Sequence, residues 1–224
     1  MTLAIGEIVR NGVVFDMKNW NGDIANGDSL PQVIDRLFDL LDQRQISYLL
    51  VGGVALLSYV DGRNTQDVDF ILARQSLREL PELVVAEEDK NFVRAAFEQL
   101  QIDLFLTQNP LFKLVLENYS TKRQFGDRTI YCATVEGLVL LKLYVLPSLY
   151  RQGQFDKVSI YESDITLLML RYPVDIDALE TILKRYILAT DLVELEQIVD
   201  DIQARMARFQ QRQAPLDPGP EGEP

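Results

Sequence analysis

Asp67 and Asp69 open the apolar run Asp-Val-Asp-Phe-Ile-Leu at residues 67–72. If that run is a strand, residues i and i+2 leave the same face and the two carboxylates converge. Carboxylates that close repel unless a proton or a cation lies between them. A divalent metal, with triphosphate oxygens completing its shell, is the economical occupant. Upstream, Gly52-Gly53 ends the apolar run 46–51. Glycines let a backbone approach a phosphate closely, and a helix opening there presents free N–H groups with partial positive charge. Downstream, Asp103 stands alone between Ile102, Leu104 and Phe105. Three carboxylates on neighbouring strands are what two-metal phosphoryl or nucleotidyl transfer needs, the metals binding the triphosphate and activating the attacking oxygen.

The elements that must position these groups can be read along the chain. The Asn11-Gly12 pair between Ile8-Val9 and Val13-Val14-Phe15 signals a hairpin. Ser29 reads as an N-cap, with Pro31 just inside a helix that ends near Arg44. A buried strand over 46–51, a short helix over 54–60 ended by Asp61-Gly62, and a strand over 68–72 follow. Helical turns over 75–80 precede two hairpin strands, 92–97 and 102–106. Beyond Pro110 the pattern is mostly helical: 110–119, then a short strand 129–132, then 135–146 or beyond, capped by Thr134 with Pro147 near its end. Further helices fit 164–170 capped by Ser163, 176–188 and 192–210. The expected fold is α/β (α+β), a mixed sheet with flanking helices followed by an α-helical C-terminal half. Its expected division is an N-terminal extension 1–28, a core 29–110, a mostly helical part 111–210 and a disordered Pro/Gly/acidic tail 211–224.

Composition narrows the chemistry. The 224 residues include no histidine and one cysteine, Cys132. Histidine bases, Ser-His-Asp or Cys-His nucleophiles, His-ligated metals, disulfides and CxxC pairs are excluded. Carboxylates, lysines, hydroxyls and a hard cation remain. The net charge of −12 makes a poor general binder of nucleic acid or anionic membrane. No apolar stretch is long enough to span a bilayer and no signal peptide is legible, so a cytoplasmic location without membrane contact is the default expectation. No GxxxxGK[ST] occurs, which argues against a P-loop NTPase.

Gly52-Gly53, then Asp67/Asp69, then Asp103 on a later strand, resembles the signature of the DNA polymerase β-like nucleotidyltransferase superfamily. The lead-in Arg63-x-Thr65-x-Asp67-Val-Asp69 resembles its bacterial branch of abortive-infection and toxin–antitoxin enzymes. In that branch a later helix carries a Lys and an Asp opens the following helix; Lys142 in Leu140-Leu-Lys-Leu and Asp164 in Ser163-Asp-Ile-Thr resemble these. The resemblance covers about residues 45–170. It implies a Mg²⁺- or Mn²⁺-dependent enzyme that transfers an NMP from an NTP to an acceptor hydroxyl on tRNA or another RNA end, a protein or a small molecule. Asp67, Asp69 and Asp103 would be catalytic and metal-binding. Gly52, Gly53, Thr65, Lys142 and Asp164 would contact the nucleotide. The branch also implies an antitoxin as a protein partner, and leaves open a toxin-like kinase or a non-catalytic nucleotide- or partner-binding member.

Charge adds one expectation. In segment 113–157, Lys113, Lys122, Arg123, Arg128, Lys142, Arg151 and Lys157 outnumber the acids, so a basic lining for a triphosphate or an RNA end is one reading and a solvated surface the other. Arg63, Arg151 and Lys157 taken singly read as surface charges, and Ser58 and Cys132 as packing residues.

Overall fold

The computed structural model describes residues 30–60, 65, 67–125 and 128–213. The expected hairpin about Asn11-Gly12, the Ser29 cap, Asp61-Gly62, Arg63 and the tail from residue 214 lie outside the described residues.

Helix α1 (Leu30–Gln43) leads into strand β1 (Tyr48–Val51), the five-residue helix α2 (Gly52–Leu56) and strand β2 (Asp67–Leu72). A 3-10 segment (Arg74–Glu79) precedes β3 (Val84–Glu88), β4 (Phe92–Phe97) and β5 (Leu100–Leu106). Then come α3 (Pro110–Asn118), β6 (Ser120–Phe125) and β7 (Arg128–Ala133). Four helices complete the chain: α4 (Val135–Arg151), α5 (Phe155–Arg171), α6 (Ile176–Leu183) and α7 (Ala189–Gln213). The strands form one mixed sheet in the order β3-β4-β5-β2-β1-β7-β6. β1 runs antiparallel to β2 and parallel to β7, and β2 runs parallel to β5. The fold is therefore the expected mixed sheet with flanking helices and a helical C-terminal part.

Two sides of the sheet carry different helices. On one, α1 buries Val33, Ile34, Leu37, Phe38 and Leu41, the stripe its sequence periodicity indicates. Phe38 meets Tyr48 and Phe70 edge-on, with ring centroids 5.8 and 5.7 Å apart. Burying a side chain of this kind contributes roughly 1.5–3 kcal/mol. The other side is set by alternation: Ile71 lies beside Phe105 in register, and both point away from α1. Phe105 there meets Phe112 of α3, and Phe112 meets Tyr144 of α4, at 5.3 and 6.0 Å. Asp69 and Asp103 share this second side, two residues before Ile71 and Phe105 on the same strands.

Several expectations are corrected. The short helix after Gly52-Gly53 covers Gly52–Leu56 rather than 54–60. β3 and β6 had no counterpart in the sequence reading. The five residues of β3 are exposed, so Val-Val-Ala-Glu-Glu shows no in–out alternation, and β6 is an edge strand made mostly of polar residues, with Lys122 and Gln124 exposed. β6 and β7, drawn from the segment read as mostly helical, belong to the same sheet as β1. α4 continues beyond residue 146, as allowed for, and runs to Arg151 with Pro147 near its end. The largest correction concerns Asp164. No helix starts at Ser163; both residues sit in the middle of α5, which begins at Phe155 after a turn through Gly153 at φ +66°. Asp164 is tolerated inside the helix because its carboxylate is neutralised by a cation from α4. α6 ends at Leu183 rather than 188, and α7 runs from Ala189 to Gln213. No helix among the described residues is long and apolar enough to cross a membrane.

Candidate active site

The site forms where β1 ends beside the start of β2. Val51 pairs with Asp69 in register, so the turn into α2 faces the Asp69 carboxylate directly. Gly52 has φ +65°, a region that side-chain-bearing residues avoid. A Cβ at Gly52 would also overlap the Asp69 carboxylate. At Gly53 a Cβ would stand 2.5 Å from Thr65 Oγ1 and 2.7 Å from Thr65 Cβ. Both glycines are therefore required by close approach. Gly53 N–H donates to the Asp69 carboxylate, which ties the glycine turn to the acid cluster.

Asp67, Asp69 and Asp103 each offer a carboxylate oxygen within 4.8 Å of the others. Asp69 and Asp103 are register partners on parallel strands, and Asp67 lies two residues before Asp69 on the same strand. Asp67 and Asp69 are half-buried; Asp103 is buried. Burial pushes the Asp69 carboxyl well above the usual carboxylate range, and repulsion from Asp67 and Asp103 adds to it. The Lys142 charge and the Gly53 N–H offset this only in part. The donor set fits a hard divalent cation: converging oxygens and a raised proton affinity at the central acid, which the glycine turn lets lie against the backbone.

Each of the other sequence-selected residues is found close to this cluster or to a group that acts on it. Thr65 is buried, and its hydroxyl reaches Asp67 Oδ1 at 3.1 Å and the Asp67 carbonyl at 3.2 Å. Lys142 and Asp164 form a buried ion pair, Nζ to Oδ2 2.8 Å, between α4 and α5. The ammonium also lies 4.3 Å from the centroid of the Tyr161 ring, a cation–π arrangement.

One residue of the site was missed by sequence reasoning. Arg94 on β4 is the register partner of Asp103. Its Nε donates to Asp103 Oδ1 at 2.9 Å and its Nη2 to Oδ2 at 2.7 Å, a two-pronged pair. The signal was present in the sequence. A single arginine in Phe-Val-Arg-Ala-Ala-Phe and a single aspartate in Leu-Gln-Ile-Asp-Leu-Phe-Leu flank the tight turn at Glu98-Gln99, and hairpin register brings them face to face.

Most cations of the basic segment face the chain's own carboxylates or aromatic rings. Lys113 lies 3.8 Å from Glu117, Arg128 pairs with Asp39 and Asp42, Lys142 with Asp164, and Arg151 with Asp191. Lys122 lies over Tyr131 and Arg123 over Tyr59. Burial pushes the Cys132 thiol up to about 12, and the Ser58 hydroxyl donates to the Ala55 carbonyl, so neither behaves as a nucleophile.

No family model matches the sequence, and no curated protein matches it. Solved structures to which the chain is similar include the following three. An antigenic nucleotidyltransferase-like protein from Paracoccidioides brasiliensis is 18% identical at a TM-score of 0.45, covering 61% of this chain and 73% of that one. The solution structure of the antibiotic-resistance factor ANT(2'')-Ia is 14% identical at a TM-score of 0.48, covering 81% and 96%. The crystal structure of ANT(2'')-Ia in complex with adenylyl-2''-tobramycin is 15% identical at a TM-score of 0.42, covering 82% and 99%.

Proposed function

We propose that this chain is a nucleotidyltransferase-type enzyme that moves an NMP from a Mg²⁺-bound NTP to an acceptor hydroxyl. The observation that carries the reading is the convergence of Asp67, Asp69 and Asp103 within 4.8 Å, on strands set beside the Gly52-Gly53 turn. Asp67, Asp69 and Asp103 would hold a divalent cation, which when bound would supply charge neutralisation between the carboxylates and the triphosphate and at the leaving pyrophosphate.

The chain's own groups divide the remaining work. The glycine turn admits the phosphates close to the backbone. Lys142 offers its ammonium to the phosphate oxygens, and Asp164 and Tyr161 hold that ammonium in place. Thr65 fixes the rotamer of Asp67. Asp103 orients the acceptor hydroxyl for in-line attack on the α-phosphorus. The new bond joins the acceptor oxygen to that phosphorus, the hydroxyl proton passes to Asp103, the bond to the bridging oxygen breaks, and pyrophosphate leaves.

The acceptor is read as a small molecule or a protein hydroxyl rather than an RNA end. An RNA end needs several phosphate-neutralising cations. In segment 113–157, Lys113, Arg128 and Arg151 instead pair with the chain's own carboxylates, which leaves fewer cations for a run of phosphates.

Incubating the protein with Mg²⁺ and each α-³²P-labelled NTP, against total RNA, lysate protein and a small-molecule extract, tests the function. Label should pass to an acceptor in one of the last two fractions and not with Asp69→Asn. Equal labelling by wild type and Asp69→Asn, or none in any fraction, would count against it.

A further inference from the structure

Arg94, Asp103 and Asp69 form one row across β4, β5 and β2. We propose that Arg94 is a positioning residue that sets the orientation and net charge of Asp103, and thereby limits how tightly the acid cluster takes a divalent cation. This rests on the metal-dependent reading of the site given above.

The geometry exceeds what an ordinary cross-strand ion pair needs. Exposed pairs of that kind contribute little. Here the Asp103 side chain is 8% exposed and both of its carboxylate oxygens are engaged in parallel by one guanidinium. The fork fixes the plane of the carboxylate, so that Asp103 offers a defined edge towards Asp69. On its outer side Arg94 has Nη1 3.8 Å from Glu87 Oε2, and its guanidinium carbon stands 5.5 Å from the Phe92 ring centroid. These contacts hold the cation from behind.

Charge is the second part of the argument. Three carboxylates meet at the site, and Arg94 is the cation bonded directly to one of them among the described residues. Lys142 acts on Asp69 from α4 but gives its ion pair to Asp164. With Arg94 in place the cluster presents two net negative charges rather than three, which matches one divalent ion. Removing the guanidinium strengthens attraction for a bare cation while freeing the carboxylate to rotate.

Mn²⁺ binding to the nucleotide-free protein, read by electron paramagnetic resonance of the free ion, tests this without an acceptor. Arg94→Gln should bind Mn²⁺ about tenfold more tightly than wild type, the scale expected when a unit charge some ångströms away is removed. Arg94→Lys keeps the charge and loses the fork, and should stay within about threefold of wild type. In an Asp103→Asn background the Arg94→Gln gain should shrink by more than half, because the two residues act as a unit. Thermal melts in EDTA identify the folded variants, and Arg94→Met, which preserves the stem over Phe92, replaces glutamine if that variant does not fold. Unchanged or weaker Mn²⁺ affinity in the folded variant, with wild type binding normally, overturns the proposal and leaves the site reading intact. No Mn²⁺ binding by wild type overturns both.

Discussion

The Lys142 ammonium and the Asp164 carboxylate meet at 2.8 Å in the interface between α4 and α5, both buried, with Tyr161 closing one side. The pair stitches the helical part to the sheet side that carries the acids, because Lys142 also acts on Asp69. Breaking a buried pair by removing one partner costs about 3–5 kcal/mol, whereas replacing both with apolar groups costs far less. Asp164→Asn should lower the unfolding free energy read from urea melts by that order, and Lys142→Met/Asp164→Leu should recover most of it. A double variant as unstable as the single one would show that the pair is not the unit that matters.

The acids themselves should behave in the opposite way. Asp67→Asn, Asp69→Asn and Asp103→Asn keep shape and remove the charge that a hard cation needs. Each should lower transfer by roughly 10²–10⁴, and the losses should not add. In metal-free protein Asp69→Asn should melt at or above wild type, since it relieves repulsion from Asp67 and Asp103. Activity assays and melts on the same preparations separate this from a structural role, which would lower both together.

The raised proton affinity of Asp69 gives a pH signature. An unfolded aspartate titrates near about 3.9. Above that pH the unfolded chain has released the proton while the folded chain still holds it. Stability from this group is therefore full below about pH 4 and is lost as pH rises through the raised folded value. In EDTA, wild type should lose stability relative to Asp69→Asn between acid and neutral pH, and Mg²⁺ should reverse the loss at the neutral end. Parallel pH profiles for the two proteins would remove the electrostatic account of the site.

Gly52 offers a backbone test. Gly52→Ala places a side chain at φ +65° and against the Asp69 carboxylate. The conformational strain alone costs about 1–2 kcal/mol. The variant should also bind Mn²⁺ more weakly, because Asp69 must move. Mn²⁺ affinity unchanged in a folded Gly52→Ala would mean that the glycine serves the turn and not the acid.

What could be read from the sequence follows from locality. The stripe of α1, the glycine turn, the Asp67/Asp69 pair and the isolated Asp103 each declare themselves within a few residues, and the structure brings the three acids together. Arg94 was passed over because its meaning depends on hairpin register rather than on its neighbours in sequence. Asp164 was placed at a helix start because a Ser-Asp pair is a strong local cap signal. The tertiary pairing with Lys142, invisible locally, lets it sit inside α5. β3 was unreadable because a strand exposed on both faces has no burial pattern to print on its sequence.

The sheet order also dictates an order of assembly. The β4–β5 hairpin closes over a short turn, so Arg94 and Asp103 meet early and at small entropic cost. The parallel pairings of β2 with β5 and of β1 with β7 span far longer stretches of chain and close late. On this order Asp103 is expected to reach Asp69 already paired with Arg94. Pulsed hydrogen exchange during refolding should protect the amides of β4 and β5 before those of β1 and β7. Arg94→Gln should then slow the docking of β5 onto β2, the step at which unmasked like charges would first meet.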